Sequence, residues 1–349
     1  MPRQRRPNAL LNEFGLRDLG TLRRGYGIGF GLLVVAGVAI GATRIGRGSL
    51  SSVMAILGRA QPSWVLGAVV CFSIALLSSA AAWRAGLRAC GGSACFTHVS
   101  ARYAIGSLVN AVTPAHLGGA LRLALLSRTL PGEDRLWRTG GVGASVAGAR
   151  TLALAALVGA AAAVGSVPVW PAPLLALTVL GVLIVCTRFS ARAAGRLGSL
   201  LQIFRSFAHA PREGASLVGW IGCSFAARLG AAAAVGMALG VPRPIWVAVV
   251  LLASLALAGV FPLTPGNFGT GAGAATLALY GTGVDVASSL ALALAFQAVE
   301  TAVGMTLGLA GAAVLAAPGT RARRWSFAAA GAAAVLMAAT LGIASVGFV

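Results

Sequence analysis

Three observations predict an all-α polytopic integral membrane protein. The 349 residues are 58% hydrophobic and only 10% charged, and mean hydropathy is +0.88. A soluble domain carries about 25% charged residues, so this mixture cannot build a water-facing surface. The apolar stretches are long and rich in Ala, Leu, Val and Gly, which suits helices rather than the short alternating segments of a barrel. Finally, one pattern occurs twice inside apolar sequence, as Thr113-Pro114-Ala115-His116-Leu117-Gly118 and Thr264-Pro265-Gly266-Asn267-Phe268-Gly269. Pro and Gly break helices, and a break in lipid is tolerated only where protein or a polar cavity receives the freed backbone groups. Two such interruptions in corresponding halves point to a substrate site at mid-membrane and to inverted repeats.

The elements follow in order. Residues 1–26 form a basic N-terminal segment with Arg3, Arg5, Arg6, Arg17, Arg23 and Arg24, and 27–349 form a single polytopic domain. Apolar spans fall near 27–43, 63–83, 103–126, 141–163, 173–187, 215–239, 244–262, 267–283, 286–316 and 326–348. Most reach the ~20 residues that cross a bilayer. The run after the basic segment leads into further spans, so it reads as an uncleaved first helix rather than a signal peptide. The span 103–126 is interrupted at Thr113-Pro114 and Gly118-Gly119 and reads as a re-entrant hairpin or bent pair. The others give nine crossings, for a total of roughly 8–10 transmembrane or re-entrant helices. Segment 48–62 is amphipathic and reads as a surface helix. Segment 188–213, with Arg196, Leu200, Ile203, Phe204 and Arg205, reads as an interfacial helix.

Net charge is +20 and all 27 basic residues are Arg. Flanking loops hold most of them, which points to topology and anionic lipid rather than nucleic acid. With the N-terminus inside, inside segments hold 20 arginines and outside segments 4. A cytoplasmic N-terminus in a plasma membrane is therefore expected.

Three arginines fall within spans, Arg122, Arg150 and Arg228, and Glu300 is the carboxylate well inside one. A charge at the bilayer centre costs at least about 2.5–3.5 kcal/mol on insertion scales, so four of them suggest pairing or a polar cavity. Glu300 is expected to pair with Arg150 or Arg228. Arg122, only six residues before Arg128, could instead snorkel to the interface. Guanidinium is a planar fork that suits phosphate, so a lipid headgroup is the expected ligand. Asn110, Thr113, Thr264 and Asn267 flank the breaks and can cap freed backbone groups. Gly269-Thr270-Gly271-Ala272-Gly273 has the look of a dinucleotide loop but follows no strand, so close helix packing is the better reading. His116 reads as a polar residue at headgroup level. Five cysteines and three histidines show no metal spacing, and no metal or cofactor is expected. Seven acidic residues leave few actors for hydrolytic or transferase chemistry.

Two stretches resemble the flippase-like transmembrane region of lysylphosphatidylglycerol synthases and its stand-alone relatives. One runs from Ala104-Ile105-Gly106-Ser107-Leu108-Val109-Asn110 through Pro114, Gly118, Arg122 and Leu125-Leu126-Ser127-Arg128, with Arg150 matching a later Arg. The other is Phe261-Pro262-Leu263-Thr264-Pro265-Gly266-Asn267-Phe268-Gly269. The fit covers about 30–315. It departs at three places where the family carries carboxylates: here stand Gly119, the run Thr151-Leu152-Ala153, and the run Gly271-Ala272-Gly273. The resemblance implies movement of a lipid between leaflets, an anionic phospholipid or a lipid-linked glycan. It also implies no lipid aminoacylation by this chain, which ends in an apolar span. The competing reading is a non-transporting accessory or scaffold subunit for a lipid- or glycan-synthesis enzyme. A polytopic glycosyl- or lipid transferase is a third, and it would rely on Asp285, Glu300 or the Glu133-Asp134 pair.

Overall fold

A computed structural model of the protein describes residues 47–93, 95–113, 117–163, 180–181, 206–207, 209–258, 268–316 and part of 320–331. The chain divides into two compact units, Met1–Leu50 and Ser51–Val349, and the architecture below is that of the second. The first span and the segments 164–179 and 182–205 lie outside the described residues, as do Pro114, Ala115, His116 and the second break from Phe261 to Asn267.

The described residues form nine helices and no strands. They are α1 (Arg47–Gly58), α2 (Pro62–Ala89), α3 (Phe96–Val112), α4 (Leu117–Ser127), α5 (Arg135–Ala163), α6 (Pro211–Ala238), α7 (Pro244–Ala258), α8 (Phe268–Tyr280) and α9 (Val286–Leu315). Four of them, within α2, α5, α6 and α9, are long and apolar enough to cross a membrane. Their outward faces carry large apolar residues such as Leu66, Val70 and Ile74 of α2 and Val218 and Trp220 of α6. In water such faces would be costly; in lipid they are the ordinary surface.

The helix order repeats. Lengths of 28, 17, 11 and 29 residues in α2–α5 are followed by 28, 15, 13 and 30 in α6–α9. The punctuation repeats too. Pro62 and Pro211 open α2 and α6, where a missing N–H costs nothing and φ is already set. Gly91 (φ 80°) and Gly240 (φ 68°) follow their ends in the left-handed region. There the Gly92 N–H donates to Leu87 O (2.9 Å) and the Val241 N–H to Gly236 O (2.9 Å), closing both helices the same way. From 62 to 211 and from 91 to 240 is the same 149-residue step. Gly132 (φ 95°) and Gly283 (φ 88°) likewise stand three residues ahead of α5 and α9.

The two halves are inverted. Helices α2 and α6 pair along their length: Gln61 N–H donates to Ala238 O (2.9 Å), Ser79 Oγ meets Ser224 Oγ (2.9 Å), and Arg88 approaches Glu213 (4.0 Å). Partner numbers fall as the chain number rises, so the pair is antiparallel. Buried alanines at 80, 82, 231 and 232 let the backbones close up. Because α3 leaves the C-terminal end of α2 and α7 that of α6, the two sets of short helices enter from opposite ends of the bundle.

Helices α3 and α4 form the expected hairpin. Gly118 lies against Gly106 and Asn110, and Arg122 against Tyr103 and Ser107, again with falling partner numbers. Thr113 caps α3: its N–H and its hydroxyl both donate to Val109 O (2.9 and 2.6 Å). Of the two spans expected at 244–262 and 267–283, the described residues include α7 (Pro244–Ala258) and α8 (Phe268–Tyr280), and the break between them lies outside the described residues. The two helices pack on each other as α3 and α4 do.

Helix α9 is opened by Asp285, whose carboxylate accepts from the Ser288 backbone N–H at 2.9 Å. That bond holds its pKa below the ordinary carboxylate value, against a smaller opposing push from partial burial. A group with a depressed folded-state pKa contributes above its unfolded value, near 3.9, and its contribution is lost as pH falls through the folded value. Asp285→Ala is expected to cost about 1 kcal/mol at neutral pH and less once the pH falls below the ordinary carboxylate range, as read by thermal unfolding at the two pH values.

Candidate functional site

The long helices place their charges halfway along. Arg150 is fifteen residues into α5, Arg228 seventeen into α6 and Glu300 fourteen into α9. Arg122, in α4, reaches the same place from the hairpin. All four line one cavity of about 630 Å³, together with Ser79, Tyr103, Ser107, Asn110, Thr113 and Ser224. That volume suits a lipid headgroup or a comparable small ligand. Thr151, Gln297 and Thr301 add further polar lining, and the rest of the wall is largely apolar, including Phe72 and Phe296, whose rings meet edge to face at 4.8 Å.

Tyr103 organises the first half of the site. Its side chain is buried, and its hydroxyl accepts a hydrogen bond from Arg150 Nη2 at 2.9 Å. The Arg122 guanidinium stacks on the same ring, Cζ 3.9 Å from the centroid. A cation over a desolvated ring gains about 2 kcal/mol, which offsets part of the cost of placing Arg122 within the membrane. Arg122 Nη2 also donates to Ser107 Oγ at 3.1 Å, while its buried Nε has no partner. It therefore turns inward onto α3 rather than snorkelling to the interface. Arg150 Nη2 further donates to Ser79 Oγ (3.0 Å), Ser79 meets Ser224 (2.9 Å), and Ser224 donates to Ala75 O (2.8 Å). This relay of hydroxyls ends on a backbone carbonyl, so Ser79 is free to accept from Arg150. Among the described residues, neither Arg122 nor Arg150 makes an ion pair.

The second half of the site is neutralised. Arg228 Nη2 pairs with Glu300 Oε1, one of the two pairings expected. The side chains are 39% and 38% exposed, so the pair faces the cavity rather than a closed core. Stranding one member of a buried pair costs about 3–5 kcal/mol, while an exposed pair is worth about 0–1. This pair lies between those limits. Arg228→Ala is expected to cost about 2 kcal/mol, and adding Glu300→Ala should restore most of it. A double-mutant cycle read by thermal unfolding checks this; additive losses would show that the pair contributes nothing.

Other expected site residues fall out differently. Asn110 lines the cavity, but its buried Oδ1 has no partner among the described residues, so the expected capping role is taken by Thr113. Gly118 packs against the hairpin partner helix. Pro114, Thr264, Pro265, Gly266 and Asn267 lie outside the described residues, and Gly269 is the second residue of α8. Within the motif at 269–273, Gly271 is buried beside the core residue Ala272, while Gly273 faces open space. Close approaches are also made at Gly308 and Gly311 of α9. A Cβ on Gly308 would fall 2.5 Å from that of Leu108, and one on Gly311 would fall 2.7 Å from Ala101 O. Tyr103 and Ser79 were not singled out in the sequence. A lone Tyr or Ser in an apolar span carries no pattern of its own; only the spacing to the arginines in three dimensions marks it. Among the described residues no group of His, Cys, Asp and Glu could hold a metal. Of the described carboxylates, Glu300 alone lines the cavity, whereas Asp285 caps α9 and Glu213 faces Arg88.

The family described as the lysylphosphatidylglycerol synthase TM region matches residues 28–308. The chain belongs to this family. The match spans both broken segments and every cavity residue named above, so the lysylphosphatidylglycerol synthase TM fold includes the whole arginine site. No curated protein matches the chain.

Proposed function

We propose that this protein moves a lipid with an anionic headgroup, a phospholipid or a lipid-linked glycan, between the leaflets of a plasma membrane. The observation that carries the reading is the mid-helix cavity in which Arg122 and Arg150 converge on Tyr103 with no acidic partner among the described residues. A headgroup entering that cavity exchanges water for guanidinium forks, while its tails stay in lipid. The inverted halves supply the second ingredient: two pairs of packed helices, α3 with α4 and α7 with α8, set at opposite ends of the bundle can expose one central site to either side in turn. The protein acts in this reading as a transporter rather than an enzyme, with membrane lipids as its partners. Its orientation puts the N-terminus in the cytoplasm. In support, Arg84, Arg88, Arg128, Arg138 and Arg212 gather at the bundle end where α3 and α4 enter, while the opposite end carries Arg59 and Arg243.

Purified protein in proteoliposomes tests this. Fluorescent phosphatidylglycerol and phosphatidylethanolamine analogues are followed by outer-leaflet quenching. The expected result is loss of the protected pool at a rate well above that of protein-free vesicles. A folded protein that moves no headgroup would overturn the reading in favour of an accessory subunit.

A further inference from the structure

The two halves treat the same position differently. Ser79 in α2 and Arg228 in α6 are equivalent, each seventeen residues after the opening proline. The 151-residue step from Arg135 to Val286 carries Arg150 in α5 to Thr301 in α9, next to Glu300. Both halves therefore join their two long helices through an arginine at mid-depth. In the second half the cation meets a carboxylate, Arg228 with Glu300. In the first half its partners among the described residues are hydroxyls, Arg150 with Ser79 and Tyr103. Arg122 adds a second cation with neutral partners. The described lining thus carries three arginines and one glutamate, and two positive charges are left uncompensated at mid-membrane.

We propose that this cavity is a dianion site: Arg122 and Arg150 together receive one doubly charged phosphate group, while Arg228 is held out of the contact by Glu300. The ligand class is then a lipid phosphomonoester or lipid diphosphate, in preference to a singly charged phosphodiester. The proposal rests on the lipid-moving reading and sharpens its substrate. Its physical basis is charge matching. Two cations kept in a low-dielectric cavity repel each other and are expensive to leave unpaired, and a dianion relieves both penalties where a monoanion relieves one. The donors fit as well. Arg150 uses only Nη2 on protein partners, and Arg122 Nε is buried without one, so both guanidinium groups retain N–H donors for phosphate oxygens.

Binding to the purified, detergent-solubilised protein provides the test, separately from transport. The probes are lysophosphatidate, lysophosphatidylglycerol, lysophosphatidylcholine and inorganic phosphate at pH 8, where a phosphomonoester is mostly doubly charged. Lysophosphatidate is expected to bind at least tenfold tighter than lysophosphatidylglycerol, with lysophosphatidylcholine weaker still. Arg150→Gln should reduce the preference to within about twofold. Glu300→Gln should do the opposite: it releases Arg228 and tightens lysophosphatidate binding several-fold, which a merely structural role for the pair would not do. Inorganic phosphate is expected to bind far more weakly than the lipid. If it bound equally tightly, the dianion site would stand with a soluble anion as its ligand. Equal affinity for the monoester and the diester would overturn the proposal, as would Glu300→Gln weakening the monoester in folded protein. Movement of phosphodiester lipids without this preference would sink the dianion site alone. Failure to move any lipid, with the binding preference intact, would sink the lipid-moving reading alone.

Discussion

Gly118→Ala is expected to force the α3/α4 hairpin apart, with a loss of about 3 kcal/mol in thermal unfolding. A Cβ at this position would collide with the Gly106 carbonyl oxygen and lie 2.5 Å from Asn110 Oδ1 and 2.6 Å from Asn110 N. Two of those three atoms are backbone, so no rotamer change relieves the clash. The helices must separate, and the separation carries away Arg122, which is placed on Tyr103 and Ser107 by the same hairpin. The neighbouring residue provides the control. A Cβ on Gly119 would have nothing within 4 Å. Gly119→Ala therefore removes only the entropic penalty of a helical glycine and should stabilise by up to about 1 kcal/mol. Opposite signs at adjacent glycines are the expected result. A neutral Gly118→Ala would show that the helices do not approach as closely as the structure has them.

Much of this architecture was legible in the sequence because lipid narrows the choices. Apolar length predicts helices, and the paired Thr-Pro motifs predict two interruptions in corresponding places. Arg122, Arg150, Arg228 and Glu300 stood out because charge within a span demands a reason, and the structure brings all four to one cavity. What the sequence withheld depends on facing rather than on composition. Which arginine Glu300 selects depends on the rotation of α6 against α9. Tyr103 reads as one aromatic residue among many until the fold sets Arg122 over its ring and Arg150 at its hydroxyl. Facing also divides the glycine motif at 269–273, where Gly271 is buried and Gly273 faces open space: small residues permit close packing, and which of them meets a neighbour is decided by the fold.

The charge on Arg150 should matter to movement far more than to folding. Arg150→Ala is expected to slow lipid translocation at least tenfold while shifting the unfolding temperature by no more than a degree or two. The two outcomes separate because of what Arg150 touches. Its partners, Ser79 and Tyr103, are neutral, so its removal strands no carboxylate. The two lost charge-assisted hydrogen bonds are each worth about 1.5–3 kcal/mol, and removing a charge from mid-membrane returns about 2.5–3.5 kcal/mol, so the two effects offset each other in large part. A headgroup has no such compensation. A hydrogen bond to a charged group is worth about 1.5–3 kcal/mol, and each 1.4 kcal/mol is a factor of ten in affinity. The comparison with Arg228→Ala sharpens this, since that change leaves Glu300 unpaired and should register chiefly as lost stability. Quenching traces and melting curves on the same two preparations decide the matter. If Arg150→Ala protein is folded and still moves lipid at the wild-type rate, the cavity arginines do not hold the headgroup, and their cost in the membrane must be met by some other role.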